Sequence, residues 1–321
     1  MKKVSLFIAV LLISLLHVQG QLKRLVVAKD GTGNYKTIQE AISAVPDMRQ
    51  KETVIFIKNG IYKEKLVLAT SKRNVRFVGE SVDKTILTYD DYYTKKNIFG
   101  EEVATAGSAS FYIFGPGFSA ENITFQNSSG PVGQALAVWV ASDRSTFKNC
   151  RFLGFQDTIY TDYNARQYYK NCYIEGTTDF IFGPSTAVFE DCEIFCKKGG
   201  RYITAASTPD SVKYGYVFLN CRITGDAPPN SFYLGRPWRP FAKVVFIKSD
   251  LSNVIKSEGW NNWDKASNEK TAYYAEYKNR GEGFKPLERV FWSHQLTDDE
   301  AKEYTLTNIF HNWNPSKDIR E

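Results

Sequence analysis

The sequence predicts an all-β protein, specifically a right-handed parallel β-helix. The chain repeats itself at an offset of 22 residues, so that Gly154–Tyr160 (GFQDTIY) superposes on Gly176–Phe182 (GTTDFIF). The repeated segments are rich in Val, Ile, Phe, Tyr and Thr and alternate over short runs such as Val244–Ile247, which is typical of strands. Repeat units of this size bury their apolar faces only by stacking on their neighbours, about 4.8 Å apart.

An aromatic-x-Asn triplet marks the successive repeats. At least five such triplets occur, and Phe125, Phe147 and Tyr169 are predicted to form one column. The triplets end at Asn127, Asn149, Asn171, Asp191 and Asn220. We therefore expect at least five stacked coils in the centre of the molecule.

The first twenty residues are predicted to be a signal peptide. Lys2 and Lys3 precede an apolar stretch from Val4 to Leu16, and Val18–Gly20 offers a cleavage site after Gly20. The alternative is an uncleaved membrane anchor, although the stretch is short for a span. The sequence thus predicts an exported protein, periplasmic or secreted, whose mature chain has no membrane span.

Two capping boxes predict helices near the ends of the solenoid. Thr37–Glu40 (TIQE) is followed by apolar residues at helical spacing before Pro46, which predicts an amino-terminal lid over an otherwise open β-edge. Thr297–Glu300 (TDDE) opens a second helix, expected to run to about Phe310 along the outside or the far end.

The remaining organisation is simple. Between Trp260 and Arg289 the repeat fades into sequence rich in Asn, Glu, Lys and Tyr, which predicts a long surface excursion rather than a second domain. No interdomain linker is present in the sequence, so residues 21–321 are expected to form a single domain. We expect the protein to be a monomer.

Five cysteines leave at least one thiol unpaired within the chain. Cys150, Cys172, Cys192 and Cys221 follow the repeat and are expected to face inward as small core residues. The coil spacing also allows a Cys172–Cys192 disulfide as a hypothesis. Cys192 and Cys196 have no His partner nearby in sequence, so a metal site is not predicted there.

The charge balance suits an acidic partner. Loss of Lys2 and Lys3 lowers the formal net charge from +6 to +4, and a mildly basic exported protein fits an acidic polymer or merely a solubility requirement. Lys and Arg residues are dispersed rather than clustered in a stripe with stacking aromatics. The sequence therefore does not indicate a nucleic-acid partner.

Two pairs of polar residues repeat at the same offset. Asp157 and Asp179 are expected at one position of adjacent coils, where two close carboxylates cannot both ionise without cost and one keeps its proton. Such a pair supplies an acid together with a base or nucleophile. Gln134 and Gln156 form a second column beside it, whose amide donors suit the oxyanion of ester hydrolysis.

Each pair also has a purely structural interpretation. A repeated Asp in a β-helix can cap a turn or bind Ca²⁺, and stacked Gln ladders are often structural in solenoids. The two columns nevertheless lie side by side among aromatic residues, which favours a functional site. These aromatic residues are Phe155, Tyr160, Phe180 and Phe182.

Four segments together resemble the signatures of the pectin methylesterase (pectinesterase) family. They are Gly60–Glu64 (GIYKE), Gly154–Tyr160, Gly176–Gly183 (GTTDFIFG) and Leu234–Trp238 (LGRPW). The resemblance runs from about Leu25 to Trp313. It implies a right-handed parallel β-helix that hydrolyses the methyl ester at C6 of galacturonate units in pectin, with methyl-esterified homogalacturonan as partner and no metal or cofactor.

The resemblance also implies roles for individual residues. Asp179 would attack the ester carbonyl and form an acyl intermediate, while Asp157 would protonate the departing methanol and later activate water. Arg236 would hold the Asp179 carboxylate in its ionised form. Gln134 and Gln156 would stabilise the tetrahedral oxyanion.

Aromatic residues complete the implied site. Trp238, Tyr160 and Phe182 would form walls that receive sugar rings. The alternative for Trp238 is ordinary packing beside Pro237. Thr178 departs from the family pattern, in which Val often precedes the nucleophile. Its hydroxyl is expected to leave the fold and chemistry intact while altering hydrogen bonding near Asp179.

Other functions remain as alternatives. Polysaccharide lyases and glycoside hydrolases also use β-helices and paired carboxylates. A glycoside hydrolase mechanism would give the Gln pair no clear role, and a lyase usually needs a cluster of acidic residues that binds Ca²⁺. A non-enzymatic carbohydrate-binding β-helix is a further alternative. A serine esterase is poorly supported, because Gly183–Ala187 only approaches the nucleophile motif and His294 and His311 lie far along the chain.

Overall fold

The computed structural model describes residues 24–317, so the predicted signal peptide lies outside the described residues and the domain boundaries stay predictions. Strands are the main regular elements of the described chain. In chain order the strands are β1 (Leu25–Val27), β2 (Thr53–Ile57), β3 (Gly60–Lys63), β4 (Leu66–Leu68), β5 (Val75–Gly79), β6 (Thr85–Tyr89), β7 (Phe111–Ile113), β8 (Ser119–Glu121), β9 (Thr124–Asn127), β10 (Val138–Val140), β11 (Ser145–Lys148), β12 (Arg151–Leu153), β13 (Ile159–Thr161), β14 (Arg166–Lys170), β15 (Tyr173–Gly176), β16 (Thr178–Gly183), β17 (Thr186–Glu190), β18 (Glu193–Cys196), β19 (Tyr202–Ala206), β20 (Tyr216–Leu219), β21 (Arg222–Gly225), β22 (Tyr233–Pro237), β23 (Lys243–Ile247), β24 (Asp250–Leu251), β25 (Tyr273–Tyr277) and β26 (His294–Gln295).

The strands form three parallel sheets. The eleven-stranded sheet has the order β1-β2-β5-β8-β11-β14-β17-β20-β23-β25-β26, the eight-stranded sheet β24-β21-β18-β15-β12-β9-β6-β3, and the seven-stranded sheet β22-β19-β16-β13-β10-β7-β4. In the central coils successive strands pass from one sheet to the next and return to pair with the coil before. The prediction of a right-handed parallel β-helix is confirmed.

Stacked aromatic rings fill the interior of the helix. Phe147 stacks on Tyr169 with ring centroids 4.8 Å apart, and Tyr169 stacks on Phe189 at 4.7 Å. The column continues through Phe218 to Phe246, with centroids 4.6 and 4.2 Å apart. In-register parallel pairing places like residues on top of one another, so the apolar repeat of the sequence becomes a continuous core.

One register prediction is wrong. Phe125 does not share a column with Phe147, because it lies in the eight-stranded sheet and pairs with Phe152. The equivalent turn position after β8 is taken by Asn122, which like Asn149 has a positive φ. Coils differ in length, and Asn122 precedes Asn149 by 27 residues rather than 22, so a constant offset loses the register there.

The hypothesis of a Cys172–Cys192 disulfide is also wrong, since all five cysteines are free and buried. The thiols of Cys172 and Cys192 instead donate to the carbonyl oxygens of Phe147 and Tyr169, each at 3.5 Å. Residues stacked in register lie about 4.8 Å apart, beyond the Cβ separation of about 3.5–4.5 Å that a disulfide needs. The predicted role as small core residues agrees with the burial of these side chains.

Both predicted helical regions are present. Helix α1 (Ile38–Ala44) carries the expected reciprocal capping box between Thr37 and Glu40, and Ile38 and Ile42 pack into the core as the amino-terminal lid. Helix α2 (Ala104–Gly107) is a single turn that the sequence did not indicate.

The carboxyl-terminal region forms two short helices rather than one. Helix α3 (Asp298–Lys302) begins at the predicted capping box, and helix α4 (Leu306–Phe310) begins at a new cap, where the Thr305 hydroxyl accepts a hydrogen bond from the Asn308 N–H. Residues Ile309 and Phe310 pack on the outer face of the eleven-stranded sheet. Within residues 24–317, none of the helices has the length and apolar character needed to cross a membrane.

The region between Trp260 and Arg289 is not a surface excursion throughout, because it contains β25, which pairs with β23. The region also contains a buried ion pair. Arg289 donates from Nε to Glu276 at 2.6 Å, and both side chains are almost completely inaccessible. Arg289 also donates to the carbonyl oxygens of Gly283 and Ser257.

We expect Arg289→Ala to destabilise the protein by about 3–5 kcal/mol, because it leaves the Glu276 carboxylate buried without its partner. Denaturant unfolding measures the change. Arg280→Ala is the matched control, since Arg280 pairs with Asp250 at the exposed surface and its loss is expected to cost about 0–1 kcal/mol. Equal effects of the two substitutions would contradict the prediction.

Candidate active site

A cavity of about 470 Å³ opens on the outer face of the seven-stranded sheet. All eight residues that the sequence suggested for the site line it. The lining comprises Thr105, Ala106, Gln134, Trp139, Gln156, Asp157, Tyr160, Asp179, Phe182, Ala205, Arg236, Trp238 and Trp263. Residues from seven successive coils therefore converge on one place.

A row of in-register side chains lines the cavity. Trp139 pairs with Tyr160 across β10 and β13, and Tyr160 pairs with Phe182 across β13 and β16. Ala205 on β19 and Arg236 on β22 continue the row. The small Ala205 side chain separates the aromatic part of the row from its cationic end, and the cavity extends over it.

The two aspartates occupy equivalent positions of adjacent coils, each two residues before the paired Ile159 and Ile181. The backbone N–H of Asp157 donates to the carbonyl oxygen of Thr178 at 3.1 Å, so the two coils are held together at this point. Both aspartates have a positive φ, 64° at Asp157 and 50° at Asp179. This left-handed conformation is uncommon for residues other than Gly, although Asp tolerates it better than most.

A β-bulge redirects the Asp179 side chain. The pairing between β16 and β19 shifts register between Thr178 and Ile181, so two residues of β16 oppose one of β19. Bulges of this kind re-aim a side chain and are frequent next to active sites. Here Phe180 packs into the core while Asp179 faces the cavity.

Arg236 contacts only one of the two aspartates. Its Nε donates to Asp179 Oδ1 at 2.9 Å and its Nη2 to Oδ2 at 2.6 Å, which makes a bidentate ion pair. Burial raises the pKa of Asp179, and the hydrogen bonds and charge of Arg236 oppose that rise. The pKa of Asp179 stays above its ordinary value, but it is raised less than that of Asp157, so Asp179 is the member of the pair that ionises first.

Asp157 has the opposite environment. Burial, followed by the negative charge of Asp179, raises its pKa well above the ordinary value, and Arg236 offsets this only in part. No hydrogen bond to the Asp157 carboxyl group is formed within residues 24–317. The arrangement thus favours one shared proton that resides on Asp157.

Gln134 and Gln156 lie beside the aspartates in a parallel bridge. Their backbones are tied into the coils, since Tyr93 N–H donates to the Gln134 carbonyl and Ala135 N–H to the Gln156 carbonyl. Neither side-chain amide bonds to any other group in the described part of the chain. Both amides line the cavity and have N–H donors available for a bound oxygen atom.

Aromatic rings form the walls. Tyr160 and Phe182 stack face to face, with centroids 4.6 Å apart and planes inclined by 6°. Trp238 meets both rings edge-on, at 6.4 and 5.8 Å. Phe182 is only 6% exposed, so it supports the Tyr160 ring more than it offers a surface of its own.

Sequence reasoning missed several lining residues. Thr105 and Ala106 belong to helix α2; the sequence suggested that residues 104–110 lie near the substrate groove but assigned them no role. Trp139 occupies the same outward row as Tyr160, so alignment of the two strands in register would have identified it. Trp263 comes from a loop outside the repeat, and no periodicity indicates it. The Thr178 hydroxyl makes no hydrogen bond with other described residues.

The fold and the cavity together define the class of protein: an enzyme of the parallel β-helix type that presents an aspartate pair, an arginine and aromatic walls. The pectinesterase family model matches residues 24–312. Pectinesterase 31 of Arabidopsis thaliana is 43% identical over 286 residues, covering 87% of this chain and 89% of that protein. A probable pectinesterase/pectinesterase inhibitor of the same plant is 39% identical, and the match covers 87% of this chain but only 47% of that longer protein.

Solved structures agree. The pectin methylesterase from carrot superposes with a TM-score of 0.84 and 35% identity, covering 92% of this chain and 96% of that one. A pectin methylesterase solved in complex with a hexasaccharide has a TM-score of 0.80 and 31% identity, covering 91% and 98%. The chain belongs to the pectinesterase family, and the predictions of this family and of an ester hydrolase are confirmed.

We expect Asp157→Asn to stabilise the folded protein in a pH-dependent manner. The raised pKa of Asp157 means that the folded protein keeps a proton that the unfolded chain releases near pH 4, so the stability this group contributes is complete below about pH 4 and is lost as the pH rises through the folded pKa. An amide carries no such pH dependence. The variant should therefore gain thermal stability relative to wild type at neutral pH.

Thermal unfolding of both proteins between pH 3.5 and 8 measures the difference. A gain of 1 kcal/mol corresponds to about 2–4 °C in domains of 150–250 residues. The acidic end of the series is the internal control, because the gain should shrink there. A gain that is constant with pH, or a loss at neutral pH, would show that Asp157 is not a buried protonated group.

Proposed function

We propose that this protein hydrolyses the methyl ester at C6 of galacturonate units in pectin, releasing methanol, through an acyl intermediate on Asp179. One observation carries the proposal. Of the two buried aspartates in the cavity, only Asp179 is bound by a bidentate arginine, whereas burial and the charge of Asp179 raise the pKa of Asp157 and favour its protonated form. That asymmetry supplies a nucleophile and an acid from identical side chains. Membership of the pectinesterase family supports the substrate.

In the first step the ionised Asp179 attacks the ester carbonyl carbon. The carbonyl oxygen becomes an oxyanion, which accepts hydrogen bonds from the side-chain amides of Gln134 and Gln156. As the tetrahedral species collapses, Asp157 gives its proton to the methoxy oxygen and methanol leaves. The galacturonyl group remains bound to Asp179 as an anhydride.

In the second step the roles of Asp157 reverse. Now ionised, Asp157 accepts a proton from a water molecule that attacks the acyl carbon, with the same two amides around the oxyanion. The bond to Asp179 breaks and the free galacturonate carboxyl group leaves. Asp157 recovers its proton and Asp179 its charge, so the balance is ester plus water to acid plus methanol, and the scheme needs no cofactor.

The walls of the cavity suit a sugar polymer. Tyr160 and Trp238 offer apolar ring faces and edges against which pyranose rings pack, and Trp139 and Trp263 extend this surface. The polymer we propose is methyl-esterified homogalacturonan. The apolar run near the amino terminus supports an exported location, and a single chain supplies every residue of the scheme, which suits a monomer.

Cleavage of the glycosidic bond is the competing function. A glycoside hydrolase needs carboxyl groups that flank the sugar linkage. In this cavity one carboxylate is neutralised by Arg236, and the two amides would have no part to play. These features favour ester hydrolysis over chain cleavage.

Incubation with highly methylated pectin tests the proposal. We expect methanol to be released while the chain length of the polymer stays constant, and serine-directed inhibitors should leave the rate unchanged. A short methylated oligogalacturonide run in parallel allows the chain length to be followed directly. New reducing ends would indicate a glycoside hydrolase, unsaturated ends would indicate a lyase, and either result without methanol would refute the proposal.

Substitution of the aspartates tests their individual roles. We expect Asp179→Ala to abolish turnover, and Asp157→Asn to lower it about 10²- to 10⁴-fold while pectin still binds, as is typical for loss of a general acid or base. Initial rates of methanol release and a pectin-binding assay measure the two effects.

Asp191→Ala is the matched control. Asp191 has a φ of 52°, close to the 50° of Asp179, but it lies on a turn beside the eleven-stranded sheet and pairs with Lys170. Both substitutions therefore place Ala in the same strained backbone conformation. A near-normal rate for Asp179→Ala, or an equal loss in Asp191→Ala, would overturn the assignment.

A further inference from the structure

The guanidinium group of Arg236 lies between two aromatic rings. Its Cζ atom is 3.9 Å from the ring centroid of Tyr202 and 3.7 Å from that of Trp263. In its own plane the same group makes the two hydrogen bonds to Asp179. Both faces of the guanidinium group, and the edge that points towards the carboxylate, are thus occupied at the same time.

We propose that Tyr202 is a positioning residue of this active site: together with Trp263 it clamps the Arg236 guanidinium between two ring faces and so keeps it aligned with the Asp179 carboxylate. The proposal rests on the function proposed above. Tyr202 itself does not line the cavity. It therefore acts through Arg236 and not through contact with substrate.

The two aromatic rings restrict the motion of the Arg236 side chain. An arginine side chain has many rotamers, and the Arg236 side chain is still 21% exposed, so its two hydrogen bonds alone leave room for motion out of the plane. A planar guanidinium stacks on aromatic faces without giving up its edge donors. Cation–π attraction is strongest where the cation is partly desolvated, as it is here.

Tyr202 is itself fixed. It is the first residue of β19, in register between Thr178 on β16 and Tyr233 on β22. The rings of Tyr202 and Tyr233 stack, with centroids 5.4 Å apart and planes inclined by 11°. Lys256 Nζ lies 5.2 Å from the centroid of the Tyr233 ring. Cations and aromatic rings thus form a continuous stack, which ends at Trp263.

The other face of the clamp is anchored by backbone contacts. Trp260 forms a parallel bridge with Gly235, and the Asn261 N–H donates to the Gly235 carbonyl at 3.1 Å. The Asn261 side chain then accepts from the Trp263 N–H at 2.8 Å. The loop that carries Trp263 is therefore tied to the residue next to Arg236, and ring and guanidinium keep their relative position.

The charged and titratable groups around Asp179 determine the expected effect. They are Arg236 on β22, Asp157 on the preceding coil, and the phenol of Tyr274 on β25, whose pKa is raised by burial and then by the charge of Asp179. Of these only Arg236 lowers the pKa of Asp179. If Arg236 loses its alignment, burial dominates and the pKa of Asp179 rises.

Two substitutions separate positioning from general structure. Tyr202→Leu removes the ring face, and Tyr202→Phe retains it. We expect Tyr202→Leu to lower kcat/KM about 5- to 30-fold on the acidic limb of the pH profile, to move that limb to higher pH, and to leave KM unchanged. Tyr202→Phe should behave as wild type. Tyr202→Met, which is also without a ring, replaces Tyr202→Leu if that variant does not fold.

The matched control is Tyr173→Leu. Tyr173 also lies on the outside of a strand, and its ring centroid is 6.0 Å from that of Phe195 and 5.2 Å from Cζ of Arg151. Arg151 pairs with Asp83, far from the cavity. The control should leave the pH profile unchanged, whatever its effect on stability.

A second measurement does not depend on activity. Carbon-13 NMR of carboxyl-labelled aspartate follows the titration of Asp179, whose signal is assigned by its absence from Asp179→Asn. We expect this titration to move to higher pH in Tyr202→Leu and to stay in place in Tyr202→Phe and Tyr173→Leu. An unmoved titration in both Tyr202→Leu and Tyr202→Met overturns the positioning role. Failure of the wild type to release methanol would instead overturn the proposed function.

Discussion

In-register stacking of parallel coils is the constraint on which the rest of this structure depends. Because each strand pairs with the equivalent strand of the next coil, a side chain meets its counterpart about 4.8 Å away. Inside the solenoid this builds the aromatic column from Phe147 to Phe246. On the outer face of the seven-stranded sheet the same rule brings Asp157 next to Asp179 and Gln134 next to Gln156. A single geometric rule thus supplies both the core and the chemical groups of the site.

Placing two carboxyl groups side by side in a buried site costs free energy, but the pKa shifts that result are useful to the site. Burial raises the pKa of both carboxyl groups, and the charge of Asp179 raises the pKa of Asp157 further. Both aspartates also adopt a left-handed backbone conformation. Strain of this kind persists where the surrounding structure holds it in place, and it is common at functional sites. Arg236 breaks the symmetry by binding one member only. The pair then behaves as one acid and one carboxylate rather than as two equal groups.

Two other groups of buried polar side chains are compensated by hydrogen bonds or by an opposite charge. Glu276 and Arg289 are removed from water at the carboxyl-terminal end of the solenoid, but each finds its opposite charge and Arg289 also saturates backbone carbonyls. The stacked thiols of Cys172 and Cys192 likewise donate to carbonyl oxygens of earlier coils. The solenoid therefore tolerates a polar interior wherever donors and acceptors are matched.

The sequence by itself determined the fold class, the amino-terminal lid and all eight suggested cavity residues. Repetition at a constant offset is a linear record of in-register stacking, and it indicated the Asp and Gln pairs with Tyr160 and Phe182. The lid followed from a capping box, and Arg236 and Trp238 followed from the family resemblance. Tertiary structure alone decided the register at Phe125 and the state of the cysteines, since coil length varies and stacked thiols lie too far apart to join. The strand Tyr273–Tyr277 was also apparent only from the tertiary structure. Its charged Glu276 is typical of an exposed segment, but the structure shows it buried and paired with Arg289. Tertiary structure alone also decided the placement of Trp263 and Tyr202 around Arg236. Trp263 comes from a loop and Tyr202 from a neighbouring strand. Contacts between chain segments that share no common period leave no pattern in the sequence.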